Sequence, residues 1–168
     1  MEILAQLAAG LVLWTFLEYA IHRWLGHRQG TFAAALHGVH HRDPSAVFAI
    51  GAWLPAALAM ILMLVFTGPG AAVNLYGGAL LGFALYEAFH YRLHFRLPAN
   101  RIEAYLRARH LAHHDRDSQS CFGVTSPLWD RVFGTEPTLN CETVRMLAVR
   151  APLAAKSNLG RFPRISTR

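Results

Sequence analysis

Apolar residues dominate the first part of the chain from Ile3 to Ile21, broken only by Gln6, Thr15 and Glu18 among clearly polar side chains. A longer apolar stretch follows: between Asp43 and Glu87 no residue is charged and none is a histidine. A bilayer core takes about 20 apolar residues per helix, so the second stretch holds two spans. Thr67-Gly68-Pro69-Gly70 supplies the turn between them. The pattern predicts membrane helices over 3–21, 45–67 and 71–89, with Pro55 kinking the second. A soluble helical hairpin of this length without one charge is the weaker reading. Residues 30–43 are expected to form a short interfacial helix ending at Asp43-Pro44. Residues 90–94 continue the third span, and a further surface helix follows Pro98 up to residue 115. The fold class is therefore all-α: about three integral membrane helices, with interfacial helices carrying the polar chemistry.

Charge orients these elements. All 16 Lys and Arg lie within 23–42 or 92–168, and the net charge without histidine is +6. Basic residues gather on the cytosolic side of membrane proteins, which puts the N terminus and the 67–71 turn outside and the C terminus inside. Trp14, Tyr19 and Trp24 would act as aromatic anchors at the headgroup level. A signal peptide is a poorer reading of 3–21, because Glu2 replaces a basic leader and Glu18 follows the apolar run. The arginines are not interleaved with a nucleic-acid-binding motif, so no nucleic-acid partner is expected. Cys121 and Cys141 match no metal or redox spacing and are read as reduced thiols. The chain divides into a membrane-embedded domain, 1–137, and a basic cytosolic tail, 138–168, suited to anionic headgroups.

The ten histidines change the picture. They fall in four clusters and nowhere else: His22 and His27; His37, His40 and His41; His90 and His94; His110, His113 and His114. Spacings of three and four bring side chains to one helix face, and imidazole is the commonest metal ligand. His22 and His27 stand about 140° apart on an ideal helix, so they converge only if the helix ends or unwinds, for which Gly26 is placed. The predicted topology gathers all four clusters on one membrane face. Ten imidazoles exceed what one tetrahedral ion uses, so two ions are favoured; the donor set suits zinc, copper, iron or nickel alike. Neutral imidazoles do not cancel the ions' charge. Glu18, Glu87 and Asp115, with Asp117, are the carboxylates placed to accept hydrogen bonds from ligand N–H groups. A metal transporter would need ligands near the bilayer midplane, and the uncharged stretch offers almost none.

EYAIHRWLGH, LHGVHHRDP, YEAFHYRLH, RHLAHHDRD and FGVTSPLWDRVFGT, spanning Glu18 to Thr135, resemble the fatty acid hydroxylase/sterol desaturase superfamily of integral-membrane oxygenases. LHGVHHRDP and YEAFHYRLH are most similar to the fatty acid 2-hydroxylase branch. The resemblance implies a non-haem di-iron site, with zinc as a possible substitute, that activates O2 and oxidises a lipid C–H bond. It carries all ten histidines over as candidate iron ligands. It also implies two electrons from an external donor of the cytochrome b5, ferredoxin or reductase type, since the chain leaves no room for a fused haem domain. The expected substrate is a fatty acyl chain taken from the bilayer and hydroxylated at carbon 2, with sterol or carotenoid oxidation or desaturation as the alternative. In FGVTSPLWDRVFGT, Trp129 and Phe133 either line the lipid path or pack the C-terminal segment down.

Overall fold

A computed structural model describes residues 1–46, 62, 65–136, 139–150 and 152. Among these, every regular element is helical: α1 (Glu2–Ala20), which runs on into a π-helical segment (Ile21–Gly26), α2 (Phe32–Arg42), α3 (Pro69–Phe95), α4 (Arg101–Asp115), α5 (Leu128–Val132) and α6 (Cys141–Val149). The helix ends follow local chemistry. Thr31, Asn100 and Asn140 each accept a backbone N–H three residues on, at 3.0, 2.9 and 2.7 Å, and so start α2, α4 and α6. Pro69 opens α3 directly after Gly68, whose φ of 75° suits a residue without a Cβ.

One helix among the described residues, Glu2–Gly26, is long and apolar enough to cross a membrane. It is the candidate membrane span of the described residues. The span expected over 45–67, with its kink at Pro55, falls almost wholly outside the described residues. The third expected span lies within α3, which packs along α1 and runs parallel to it. Gln6 meets Asn74 in a 2.7 Å hydrogen bond near one end, and Trp14 meets Phe83 and Tyr86 near the other.

Small residues set this contact. A Cβ on Gly10 would lie 2.0 Å from the Leu75 carbonyl oxygen, and one on Gly78 would lie 2.0 Å from that of Leu7. The two backbones therefore touch through reciprocal glycines, the close approach that membrane helices use where lipid removes the hydrophobic drive to associate. Gly82 leaves the space that the Trp14 indole fills. Trp14 and Tyr19 are buried, while Trp24 is exposed. The first two are thus interior packing residues, not the headgroup anchors the sequence suggested. Gly78→Leu is expected to prevent the α1–α3 contact and abolish monodisperse protein in detergent. Gly77→Leu, where a Cβ meets only a Leu7 methyl at 3.5 Å, should behave like the parent in the same chromatographic assay.

Helix α4, expected after Pro98, is the inner helix of the polar cap, buried from Leu106 through His113. Its polar residues are buried because they are paired. Arg107 donates to the carbonyls of Leu93, Leu147 and Ala148, each at 2.8 Å, and Arg109 donates to Asp130 at 2.8 Å. Ala108, Leu111 and Ala112 pack on Leu147 of α6, so the part of the expected tail that the structure describes is docked.

Candidate metal centre

Ten imidazoles converge from four elements into two groups of five. The first group holds His22, His27, His37, His41 and His113; the second holds His40, His90, His94, His110 and His114. Each His-x-x-His-His cluster serves both. Its i, i+4 pair (His37 and His41 on α2, His110 and His114 on α4) enters one group and its third histidine enters the other. The first pair converges through the π-helical segment Ile21–Gly26. Closing i→i+5 bonds stacks residues five apart, which does what the expected unwinding would have done. Gly26 has a second use, since a Cβ there would sit 3.4 Å from the His37 ring.

In the first group the nitrogens meet in a definite pattern. Nε2 of His37 lies 2.9, 3.0 and 2.9 Å from Nε2 of His22, His27 and His41. Nε2 of His113 lies 3.1 Å from each of the same three. Two nitrogens that each touch the same three are the apices and equator of a trigonal bipyramid. With metal–nitrogen bonds of about 2.1 Å its apex-to-equator edges measure about 3.0 Å.

Hydrogen bonding alone does not account for these contacts. Nδ1 of His22 donates to the Phe122 carbonyl and Nδ1 of His113 donates to the Ser120 carbonyl, both at 2.6 Å. A neutral imidazole carries one N–H, so both Nε2 atoms present lone pairs. Those lone pairs face each other at 3.1 Å, an arrangement that a cation between them relieves. Burial, reinforced by neighbouring imidazoles, pushes His37, His110, His113 and His114 well below the usual histidine range and lowers His27 and His40 to about 4. The rings are therefore held in the neutral, metal-binding form at physiological pH.

The second group is more open in its hydrogen bonding. Nε2 of His110 lies 3.1 Å from that of His90 and 2.7 Å from that of His94. Nδ1 of His90, His94 and His110 and both nitrogens of His114 are buried without a hydrogen-bond partner. The Nε2 atoms of these buried rings meet this closely while their Nδ1 atoms make no hydrogen bond, an all-nitrogen donor set that suits a borderline divalent ion. The residues fit two metal ions.

The carboxylates are arranged differently from expectation. Glu18 accepts no ligand N–H; it takes the backbone N–H groups of Val124 and Thr125 at 2.5 and 2.9 Å and the Thr125 hydroxyl at 2.5 Å. Asp115 is ion-paired with Arg150. Glu87 stands three residues before His90 on α3. The acceptors that orient ligand rings are backbone carbonyls, for which the sequence gives no direct signal. Asp130, missed by sequence reasoning, is fully buried and accepts from Phe122 N, Gly123 N, Arg109 and Thr135 Oγ1 at 2.7–2.9 Å. Trp129 and Phe133 pack against α1: Trp129 donates to Thr15 at 3.0 Å and Phe133 stacks on Tyr19 at 5.3 Å. Phe122 touches the first group, 5.4–5.6 Å from the rings of His22, His27 and His113, and Tyr86 touches the second, 5.4 Å from the His90 ring. Cys121 and Cys141 are free thiols.

Comparison with known proteins adds identity to the geometry. The fatty acid hydroxylase family model matches residues 7–135. A dihydroceramide fatty acyl 2-hydroxylase of Arabidopsis thaliana, FAH1, is 35% identical over 149 residues, covering 82% of this chain and 62% of its own. The ceramide very long chain fatty acid hydroxylase scs7 of Schizosaccharomyces pombe is 36% identical over 150 residues, 77% of this chain and 42% of its own. A solved structure of full-length scs7p, in which only the hydroxylase domain is visible, superposes with a TM-score of 0.72 at 29% identity, over 90% of this chain and 59% of that one. The chain thus spans less than two thirds of the relatives it matches.

Proposed function

Because this chain belongs to the fatty acid hydroxylase family, we propose that it hydroxylates a fatty acyl chain at carbon 2, using O2, two iron ions and electrons from a separate donor protein. The observation that carries the metal part is the pair of opposed lone pairs on His22 and His113. The acyl part is supported by the names of relatives from plant, yeast and mammal, all fatty acid or fatty acyl hydroxylases, and the carbon-2 part by the plant and mammalian names, which read 2-hydroxylase.

The ten histidines would hold the ions, five to each. Bound there, two irons would supply the oxidising power that an unactivated C–H bond demands. The protein's own part is positional. The π-helical segment and α2 aim His22, His27, His37 and His41 at one centre. Helices α3 and α4 aim His90, His94, His110 and His114 at the other, joined by His40 from α2. The Ser120 and Phe122 carbonyls fix the ring orientation and tautomer of His113 and His22 and raise their basicity. Phe122 shields the first group from water on one side, which protects a reactive centre from side reactions. Glu87 is the carboxylate placed to offset part of the ions' charge. The cap faces the cytosol, where Arg and Lys accumulate, and the donor, of cytochrome b5, ferredoxin or reductase type, would dock there.

The test is reconstitution. Protein produced with iron and purified in detergent is expected to hold about two irons per chain. Supplied with a reduced donor and acyl lipid under 18O2, it should yield 2-hydroxyacyl product carrying the label by mass spectrometry. Label at another carbon would overturn the regiochemistry. Two bound irons with no lipid oxidised in any acyl class would overturn the activity.

A further inference from the structure

The segment Ser120–Thr125 is a short piece of backbone whose polar groups are used on both sides. On one side the Ser120 and Phe122 carbonyls accept from His113 and His22. On the other, four successive backbone N–H groups are taken by two buried carboxylates: Phe122 and Gly123 by Asp130 at 2.9 and 2.8 Å, Val124 and Thr125 by Glu18 at 2.5 and 2.9 Å. Between the two carbonyls Cys121 adopts a φ of 57°, a left-handed conformation that non-glycine residues seldom take. Its N–H bonds the Thr135 carbonyl at 3.0 Å. Such backbone is retained only where its surroundings fix it. The fixing groups here are the carboxylates: Asp130, itself held by Arg109 and Thr135, and Glu18, projecting from α1 one turn before His22.

The two metal groups differ in this respect. Both histidines that the segment orients, His22 and His113, belong to the first group. In the second group, Nδ1 of His90, His94, His110 and His114 has no hydrogen-bond partner. We infer that Glu18 and Asp130 are positioning residues for one metal ion only: by clamping 120–125 they aim two carbonyls at His22 and His113, so the ion of the first group depends on them and the ion of the second does not. The two ions are consequently inequivalent, the first bound by rings made more basic by Nδ1–H···O=C bonds. Losing an outer partner of this kind weakens metal binding about 10–100-fold.

This rests on the two-iron reading, so the parent protein loaded anaerobically with Fe(II) is the reference; fewer than two irons there would defeat that reading and not this one. In Glu18→Leu, which removes a carboxylate from an apolar helix end and does not oppose insertion, iron is expected to fall from about two to about one per chain after gel filtration. Glu18→Gln, whose amide oxygen still accepts from both N–H groups, should restore about two. Adding His27→Ala to Glu18→Leu should lower the iron no further, because both act on the first group. Adding His90→Ala should bring it close to zero. Should Glu18→Leu fail to fold, Thr125→Val, which keeps Glu18 and removes only the hydroxyl donor, should speed chelator release of one iron and leave the other at the parent rate. The inference is overturned if these variants retain both irons with parent release rates, or if the two irons are lost or released together.

Discussion

Alanine in place of His113 should abolish lipid hydroxylation while leaving the protein inserted and folded. His113 is fully buried, and its Nε2 touches those of His22, His27 and His41 at 3.1 Å each. It is an apex of the first group, so its loss removes a ligand and opens the bipyramid at one end. The other side of the ring then matters as well, because the Ser120 carbonyl, in the segment that also orients His22, loses its donor. Groups that merely orient a metal ligand cost 10–100-fold when removed. A ligand should therefore cost at least about 100-fold in turnover. His40→Ala makes the corresponding test of the second group. Each is measured as labelled 2-hydroxyacyl product per chain, with iron content and membrane fraction read alongside. Parent-level turnover in both variants would remove these groups from the chemistry.

Much of this site was legible because its ligands are a rare residue type in fixed register. Three clusters at helical spacing, with His22 and His27 as a fourth at the end of an apolar stretch, announce the metal centre and the helices that carry it. The partition into two groups was not legible. His37, His40 and His41 look like one trio, and only the tertiary placement of α2 sends His40 to the rings of His90 and His94 and its neighbours to those of His22 and His27. The pair His22 and His27 showed that something must bend, yet i, i+5 spacing does not distinguish an unwound end from a π-helical segment.

Glu18 shows a second limit. Its position four residues before His22 suggested a bond to a ligand ring, but a carboxylate on one helix can also collect backbone donors from a segment 106 residues away, and sequence spacing carries no trace of that. The burial of helix α4 is hidden for a related reason. Arg107, Arg109, His110 and His113 make its sequence read as polar, whereas each is buried by a specific partner or within the metal groups. Composition reports solvation preference; burial by pairing is decided by the tertiary fold.

That pairing supplies the largest effect expected on stability. Arg109 and Asp130 form a 2.8 Å ion pair with side-chain exposures of 1% and 0%, and Arg109 also reaches Glu136 at 2.8 Å. Arg109→Met keeps the length and the apolar stem but leaves the Asp130 carboxylate in the interior with no countercharge. Breaking a buried pair from one side costs about 3–5 kcal/mol, because the remaining charge stays desolvated. Arg150→Met is the comparison: Arg150 pairs with Asp115, with side-chain exposures of 51% and 38%, and solvent-screened pairs contribute less than about 1 kcal/mol. Thermal unfolding in detergent should therefore separate the two variants clearly, with Arg109→Met far below the parent and Arg150→Met close to it. The double variant Arg109→Met with Asp130→Leu removes both charges and should recover part of the stability, since an apolar pair avoids the desolvation cost that one orphaned charge incurs. It should not recover the first iron, because Phe122 and Gly123 would still lack the acceptor that holds their carbonyls toward the ligands. Stability returning without that iron would separate the ion pair's contribution to the fold from the carboxylate's contribution to the metal centre.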